Sequence, residues 1–322
     1  MKKNKILVVT PTEHISGLNE KMKKKFDVCY LHNPTENEFL EKSKDINYIF
    51  TNPNMSKLYF SEKNLNHIVN LKCICTASTG TNHIDLVYLK KNKIKLISLR
   101  KKLKIISAIS STAELAFTLM MSSLRNIEIA SKSVKLGKWD YLPFIGRQMN
   151  YLTVGVIGYG RLGKIFTKFL KPFTKNICIY ESDFQIKDSN KKYQSTLQKL
   201  LKNSDIISLH IHADKKNINF INSDKLKLVK KNVLIINTSR GEIVNERDIV
   251  NFLKVNKKSR YYTDVINDEI KDKNKSLLLK EFKKNNDQIF ITPHVGGMTR
   301  DAQYLAYNGV LEDLIKFDRS NF

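Results

Sequence analysis

Long apolar runs, paired cysteines and arginine are all scarce in this sequence, and each scarcity excludes something. Nowhere do about 18 apolar residues follow one another, which argues against a membrane-spanning helix. The start, MKKNKILVVTPTEH, has the basic front of a signal peptide. Its apolar run, 6–9, is far too short for the hydrophobic region of such a peptide, so a first β-strand is expected there. The four cysteines (Cys29, Cys73, Cys75 and Cys178) include no C-x-x-C pair and no ligand spacing. No disulfide framework and no metal site follow from them; three lie in apolar β-like runs and read as small core residues. A cytoplasmic location fits such free thiols. No Pro/Gly linker, short-period repeat or low-complexity tract divides the chain.

Acidic residues are also few. The 322 residues carry 56 Lys and Arg against 31 Asp and Glu, a net charge of +25. That balance raises nucleic acid as a partner, but only 9 of the basic residues are arginine, and the lysines scatter along the whole chain. Base and phosphate readers need clustered cations, preferably arginine. A solvated lysine surface is the expectation, with no nucleic-acid and no membrane partner. Such a surface also helps draw in an anionic substrate.

What is present is a twofold alternation of short apolar strands and amphipathic segments. Strands are expected at 6–10, 27–31, 48–51, 72–76 and 94–99, then again at 154–157, 177–180, 206–210, 233–237, 261–265 and 289–292. Helical segments between them predict parallel sheets covered on both faces, an α/β protein of two domains. Two longer helices stand outside the alternation, at 112–135 and 299–317. Their positions suggest crossings, the first into the second domain and the last back to the first.

The second series opens with VGVIGYGRLGKIF. Gly158, Gly160, Arg161, Leu162 and Gly163 belong to a G-x-G-x-x-G turn that follows a strand and opens a helix. The first glycine permits the tight turn, the second lets a pyrophosphate approach, and the third lets helix and strand pack closely. Helix amides then face phosphate charge. Glu181 closes the next strand, in ICIYESD, near the spacing expected of a carboxylate that binds ribose hydroxyls. With Asp183 beside it, a 2′-phosphate would be repelled, so NAD is favoured over NADP. Three further pieces follow later strands: Arg240 in NTSRGEIV, Asp264 and Glu269 in YYTDVINDEI, and His294 in TPHVGG. Ligands of open α/β sheets bind beyond the carboxyl ends of the strands. Oxidoreduction of a hydroxy acid needs a cation for the carboxylate, a base near neutral pH and a group to orient that base. Arg, His and Glu match those needs. Taken singly, each has a plainer reading, as a surface ion pair, a solvated loop residue or a satisfied strand-end histidine.

Together these motifs resemble the D-isomer-specific 2-hydroxyacid dehydrogenase family, especially its phosphoglycerate dehydrogenase branch. The likeness runs through CTASTGTNHID, SSTAELAFTLMMSSLRN, GKWDYLPFIG, VGVIGYGRLGKIF, SLHIHAD, INTSRGEIV and TPHVGG, in that order. It implies a flavodoxin-like substrate domain built from both chain ends, residues 1–104 and 295–322, with a Rossmann NAD-binding domain, 105–294, inserted within it. The crossing helices then act as a hinge that closes a cleft over the substrate. The resemblance implies that His294 is the acid/base, Glu269 its carboxylate partner, and Arg240 the group that binds the substrate carboxylate and polarises the C2 carbonyl. Backbone amides of Ser78, Thr79 and Gly80 resemble a second carboxylate cradle. Thr112, His210, His212, Thr238, Ser239, Asp264 and Gly296 join the turn and Glu181 in the expected cofactor set, and no metal is implied. GKWDYLPFIG resembles the family's dimerisation arm, so a homodimer is expected. An NAD(H)-sensing corepressor of the same fold is the alternative to an enzyme.

The sequence also departs from the family. Ile270 follows Glu269 where proline is common. After TPHVGG only the final helix is expected, without the regulatory domain of longer phosphoglycerate dehydrogenases. Where phosphoglycerate dehydrogenases carry phosphate-binding arginines, this chain has Asn52, Thr76 and Tyr141. Lys57, in TNPNMSKLYF, is the remaining cation for a substrate tail. A 2-oxo acid with a polar or uncharged tail is therefore expected in preference to a phosphorylated one.

Overall fold

Residues 3–53, 58–269, 272–284 and 286–320 are described by a computed structural model of the chain. Lys57 and Ile270 lie outside them. The packing divides the protein into two units: residues up to Ile109 together with those from Gly297 onward, and Ser110–Gly296. The boundaries sit a few residues beyond the expected 104 and 294, and they place Gly296 with the second unit.

In the first unit the strands are β1 (Lys5–Val8), β2 (Asp27–Tyr30), β3 (Tyr48–Thr51), β4 (Cys73–Thr76) and β5 (Lys95–Ser98). They pair in parallel in the order β2-β1-β3-β4-β5. This is the flavodoxin-like order, with its switch point between β1 and β3. Alternation along each strand feeds two cores. Ile6, Val8, Tyr48, Phe50, Cys73 and Cys75 join one face. Leu7, Val9, Ile49 and Ile74 join the other. The apolar runs are continuous because both faces are covered. The final helix, Arg300–Ser320, closes the first face with Tyr307, Val310, Leu311 and Leu314, a helical spacing of one stripe. Burial of each such side chain contributes roughly 1.5–3 kcal/mol. Cys73 and Cys75 lie under it as buried thiols, their sulfurs 3.7 Å apart.

The second unit carries β6 (Val154–Ile157), β7 (Ile177–Tyr180), β8 (Ile206–Leu209), β9 (Leu234–Asn237), β10 (Arg260–Thr263) and β11 (Ile289–Ile291). They form a parallel sheet in the order β11-β10-β9-β8-β6-β7. A single bridge, Ile179 to Gln194, adds the stub of a further parallel strand beyond β7. Counted with that stub, the order is the 3-2-1-4-5-6 of dinucleotide-binding sheets, extended by one strand. Its switch point lies between β6 and β8.

The first crossing helix differs from expectation. The apolar segment Leu103–Leu124 is long enough to resemble a membrane span. It is broken at Ile109, whose backbone is extended, and the helix Ser111–Leu124 buries Ala113, Ala116, Leu119 and Met120 in the core over the second sheet. A second break falls at Asn126, which turns left-handed (φ 53°) and separates the helix Ile127–Lys135. Its side-chain amide donates to the Phe144 carbonyl at 3.2 Å, so the turn is held by the arm that follows. Short polar asparagine tolerates that conformation better than most residues.

Beyond the carboxyl ends of β1, β3 and β4 lies a buried polar layer. Tyr307 Oη is 3.1 Å from Thr10 Oγ1 and accepts from Asn52 Nδ2 at 3.0 Å. His83, fully buried, lies 3.3 Å from Thr76 through Nε2. Burial holds the His83 imidazole at about 4, so it stays neutral. The unfolded chain protonates this histidine near 6.5 while the folded chain does not. Its contribution to stability is therefore complete above about pH 6.5 and is lost as pH falls towards 4, by about 1.4 kcal/mol per pH unit at the steepest. Thermal unfolding midpoints measured across that range should fall less steeply in His83→Gln than in the unsubstituted protein, whatever their offset at neutral pH.

Candidate functional site

The turn after β6 has the geometry that its glycines predict. Gly158 is left-handed (φ 93°), and a Cβ there would meet the His210 carbonyl oxygen at 2.6 Å. A Cβ on Gly163 would strike the Gly158 carbonyl. Gly160, which opens the helix Arg161–Leu170, faces open space instead. Two glycines thus serve close packing, and the middle one leaves room beside the helix N-terminus for an anion. The helix buries Gly163, Phe166, Thr167 and Leu170, the i, i+3, i+4, i+7 stripe that presses it onto the sheet. Arg161 and Leu162 are half-buried at its start.

Glu181 stands directly after β7. Its Oε2 accepts from the Tyr159 amide at 2.7 Å, and its Oε1 accepts from the Asp183 amide at 3.0 Å. The carboxylate is thereby fixed beside the glycine turn, with lone pairs remaining on both oxygens. At the end of β8, His210 lies against Phe166, the rings tilted by 42° with centroids 4.8 Å apart, and meets Ser208 Oγ at 2.9 Å through Nε2. Burial lowers its imidazole to about 3, so it is a neutral wall of the turn. His212 is exposed, and its ring bonds to none of the described residues.

Past β9 the chain makes a tight turn. Asn237, fully buried, donates to the Arg240 carbonyl at 2.9 Å and to Tyr261 Oη at 3.2 Å, and accepts from the Ser239 amide at 3.0 Å. Ser239 Oγ donates to the Leu209 carbonyl at 2.7 Å, tying the ends of β9 and β8 together. Arg240 is half-buried, its guanidinium donating to the Ser239 carbonyl at 2.7 Å. A Cβ on Gly241 would overlap the Ile266 backbone, so this turn lies directly on the loop after β10.

That loop is organised by Asp264, 1% exposed. Its carboxylate accepts from Thr292 Oγ1 at 2.5 Å, the Val295 amide at 2.8 Å and the Gly296 amide at 2.7 Å. Burial raises the pKa of this carboxyl, and the three donors oppose that rise. Its carbonyl accepts from the His294 amide at 2.9 Å. His294 is held left-handed (φ 56°), and its Nδ1 meets Glu269 Oε1 at 2.7 Å. Both side chains remain partly exposed, at 26% and 19%. Thr112 lies against Gly296, where a Cβ would come within 3.4 Å of its hydroxyl.

Arg240, Asp264 and His294 thus follow the carboxyl ends of the neighbouring strands β9, β10 and β11, with Glu269 on the loop between the last two. Thr292, Val295 and Asn237 were not singled out from sequence. The signal for Asn237 is a polar residue closing an otherwise apolar strand.

A nicotinamide dinucleotide fits these residues on two observations. Nothing lies within 4 Å of a Cβ built on Gly160, which leaves room for a pyrophosphate at the helix N-terminus. Thr238 Oγ1, buried past β9, has no partner among the described residues and suits a ligand amide. No group of three or more metal-ligating side chains occurs among the described residues. In the first unit, no described carbonyl accepts from the amides of Ser78, Thr79 or Gly80, while Ser78 Oγ donates to the Gly80 carbonyl at 2.6 Å and rigidifies the loop. Asn52 and Thr76 are buried, and Tyr141 is 77% exposed.

Residues 117–296 match the family model for the D-isomer specific 2-hydroxyacid dehydrogenase NAD binding domain. The chain is 30% identical over 285 residues to a D-3-phosphoglycerate dehydrogenase of Methanocaldococcus jannaschii, covering 88% of this chain and 52% of that protein. It is 31% identical over 252 residues to a hydroxypyruvate reductase of Thermotoga maritima, covering 77% and 78%. The chain spans about half the length of the archaeal phosphoglycerate dehydrogenases it matches. Among solved structures it superposes on a D-lactate dehydrogenase of Aquifex aeolicus complexed with NAD and lactic acid, with TM-score 0.76, 26% identity and 98% and 97% of the two chains covered. A 2-hydroxyacid dehydrogenase of Polaromonas shares the fold with TM-score 0.82 at 19% identity, over 99% and 98%. With the glycine turn, the strand-end residues and a matching domain model in one chain, this protein belongs to the D-isomer-specific 2-hydroxyacid dehydrogenase family and carries its NAD-binding domain.

Proposed function

We propose that the protein is an NAD-dependent oxidoreductase acting between a D-2-hydroxy acid and the corresponding 2-oxo acid. The observation that carries this reading is the 2.7 Å pair of His294 and Glu269, set on the same sheet edge as Arg240 and the dinucleotide turn. Bound NAD supplies the hydride donor or acceptor. Arg240 binds the substrate carboxylate and polarises the C2 carbonyl through a charge-assisted hydrogen bond. In reduction, as hydride reaches C2, the carbonyl oxygen gains negative charge and takes its proton from His294. With Nδ1 engaged by Glu269, that proton leaves from Nε2. Glu269 orients the ring and stabilises its cationic form, and oxidation runs the same transfers in reverse. Asp264 shapes this edge by accepting from the Thr292 hydroxyl before His294 and from the amides of His294 and Val295. The relatives are named as dehydrogenases and reductases, which favours catalysis over a binding-only role.

His294→Ala should lower kcat by a factor on the order of 10² to 10⁴, the usual consequence of losing a general acid/base. Because Glu269 acts through that ring, adding Glu269→Gln to His294→Ala should cost almost nothing further, whereas Glu269→Gln alone should slow turnover. Multiplicative losses in the double variant would refute the pairing.

The substrate tail is proposed to be polar or uncharged. Supporting this, Asn52 is engaged by Tyr307, Thr76 is buried beside His83, and His83 is kept neutral, so none of them offers a phosphate a cation. In one steady-state panel, an unphosphorylated 2-oxo acid should exceed 3-phosphohydroxypyruvate by at least about tenfold in kcat/KM, or ~1.4 kcal/mol. NADH should exceed NADPH in the same assay, since Glu181 repels a 2′-phosphate. The opposite order for either pair would overturn that half of the reading.

A second copy of the chain is the proposed partner. Trp139, Tyr141, Leu142 and Ile145 are 61–91% exposed within one short arm, too much apolar surface to leave in water. Light scattering at micromolar concentration should give a dimer mass, and Trp139→Glu should shift it towards a monomer.

A further inference from the structure

Tyr159 stands between the first two glycines of the turn, and nothing in the proposed chemistry uses it. Its side chain is 1% exposed and packs in the core beneath the helix Arg161–Leu170. A residue serving only to fill that space would need no hydroxyl, because burying one without a partner is unfavourable. Here the phenol is fully engaged. Tyr159 Oη donates to Asp188, 3.1 Å from Oδ2 and 3.3 Å from Oδ1, and it accepts from Asn190 Nδ2. Asp188 Oδ1 in turn accepts from the Asn190 amide at 2.8 Å, so the three groups close a ring. Burial and the neighbouring carboxylate push the phenol up to about 12, which keeps it a neutral donor.

The other end of the same residue is engaged too. Its backbone amide donates to Glu181 Oε2 at 2.7 Å. Glu181 and Asn190 bracket the loop 181–190, which leads from β7 towards the Gln194 bridge. Within that loop only Ile186 is buried, reaching the same core as Tyr159, while Ser182 to Gln185 and Lys187 to Ser189 are exposed. An exposed loop with one apolar anchor would otherwise sample many conformations, and a ligand would have to order it at a cost in affinity. Tyr159 grips both of its ends from beneath.

We propose that Tyr159 is a positioning residue for the adenosine half of the dinucleotide. Its amide aims the Glu181 carboxylate and its phenol, through Asp188 and Asn190, holds the 181–190 loop ready for the ribose. The inference rests on reading the Gly158–Gly163 turn as the NAD site and adds to it the residue that sets cofactor affinity. The acid/base pair lies at the opposite side of the sheet order, past β10 and β11, so the chemistry itself does not depend on Tyr159.

The test is direct NADH titration by nicotinamide fluorescence, joined to steady-state kinetics. Tyr159→Phe keeps the buried ring and removes the hydroxyl. It should raise Kd and KM for NADH roughly fivefold to tenfold while kcat at saturating NADH stays within about twofold, as for a lost hydrogen bond that orders a binding loop. Asp188 is exposed, so Asp188→Ala is not a folding risk and should do the same. Asp188→Asn, which keeps an oxygen acceptor, should bind NADH nearly as the unsubstituted protein does. The Tyr159→Phe, Asp188→Ala double variant should be no weaker than the weaker single, because one interaction is being removed twice. Unchanged NADH affinity in Tyr159→Phe, additive losses in the double variant, or a fall in kcat without a rise in KM would each overturn the proposal. Should the unsubstituted protein itself bind no NADH, the reading of the turn fails and this proposal with it. NADH binding that survives in every variant defeats only the role of Tyr159.

Discussion

The carboxylate of Asp264 is the point on which the candidate site turns. It is buried, and a buried carboxylate persists only where donors surround it. Thr292, Val295 and Gly296 provide those donors, all from the segment that carries His294. The same residue's carbonyl takes the His294 amide. Histidine with positive φ is uncommon, and such a conformation persists only where its surroundings over-determine it. Asp264 does so from both its backbone and its side chain, and the imidazole is thereby delivered to Glu269.

Much of this was readable in the sequence for a simple reason. Strands covered on both faces must be apolar throughout, and runs such as Ile6 to Val9 and Val154 to Ile157 have no other good explanation. In parallel sheets, function then gathers where strands end. Arg240, Asp264 and His294 are polar residues placed just past apolar runs, so their location followed from the strands themselves. The glycine turn was legible because a left-handed residue and two close approaches demand a missing side chain.

Other features were hidden because their causes lie far away in the chain. The segment around Asn126 has a helical pattern on both sides; what turns it is the Phe144 carbonyl, which local periodicity does not register. The Gln194 bridge involves a single residue pair, too short for any pattern. Asn52 stands where relatives carry a phosphate-binding arginine, and what its amide does there depends on Tyr307, 255 residues away. Tyr159 read as an unspecified spacer within a motif defined by its glycines. Its meaning depends on Asp188 and Asn190, whose loop has no regular structure to announce it.

The closing of the first unit by the helix Arg300–Ser320 bears on how the chain reaches this structure. Thr10 and Tyr307, neighbours across one hydrogen bond, are 297 residues apart in sequence. The second unit is a continuous segment, and its sheet can assemble from strands that are close along the chain. The first sheet has no such independence: until Tyr307, Val310, Leu311 and Leu314 arrive, one apolar face carrying Ile6, Val8, Phe50 and both buried cysteines stays open to water. Loop-closure entropy is paid before that contact is gained, and exposed apolar faces aggregate. The first sheet is therefore completed by a helix that lies, along the chain, beyond the whole of the inserted unit.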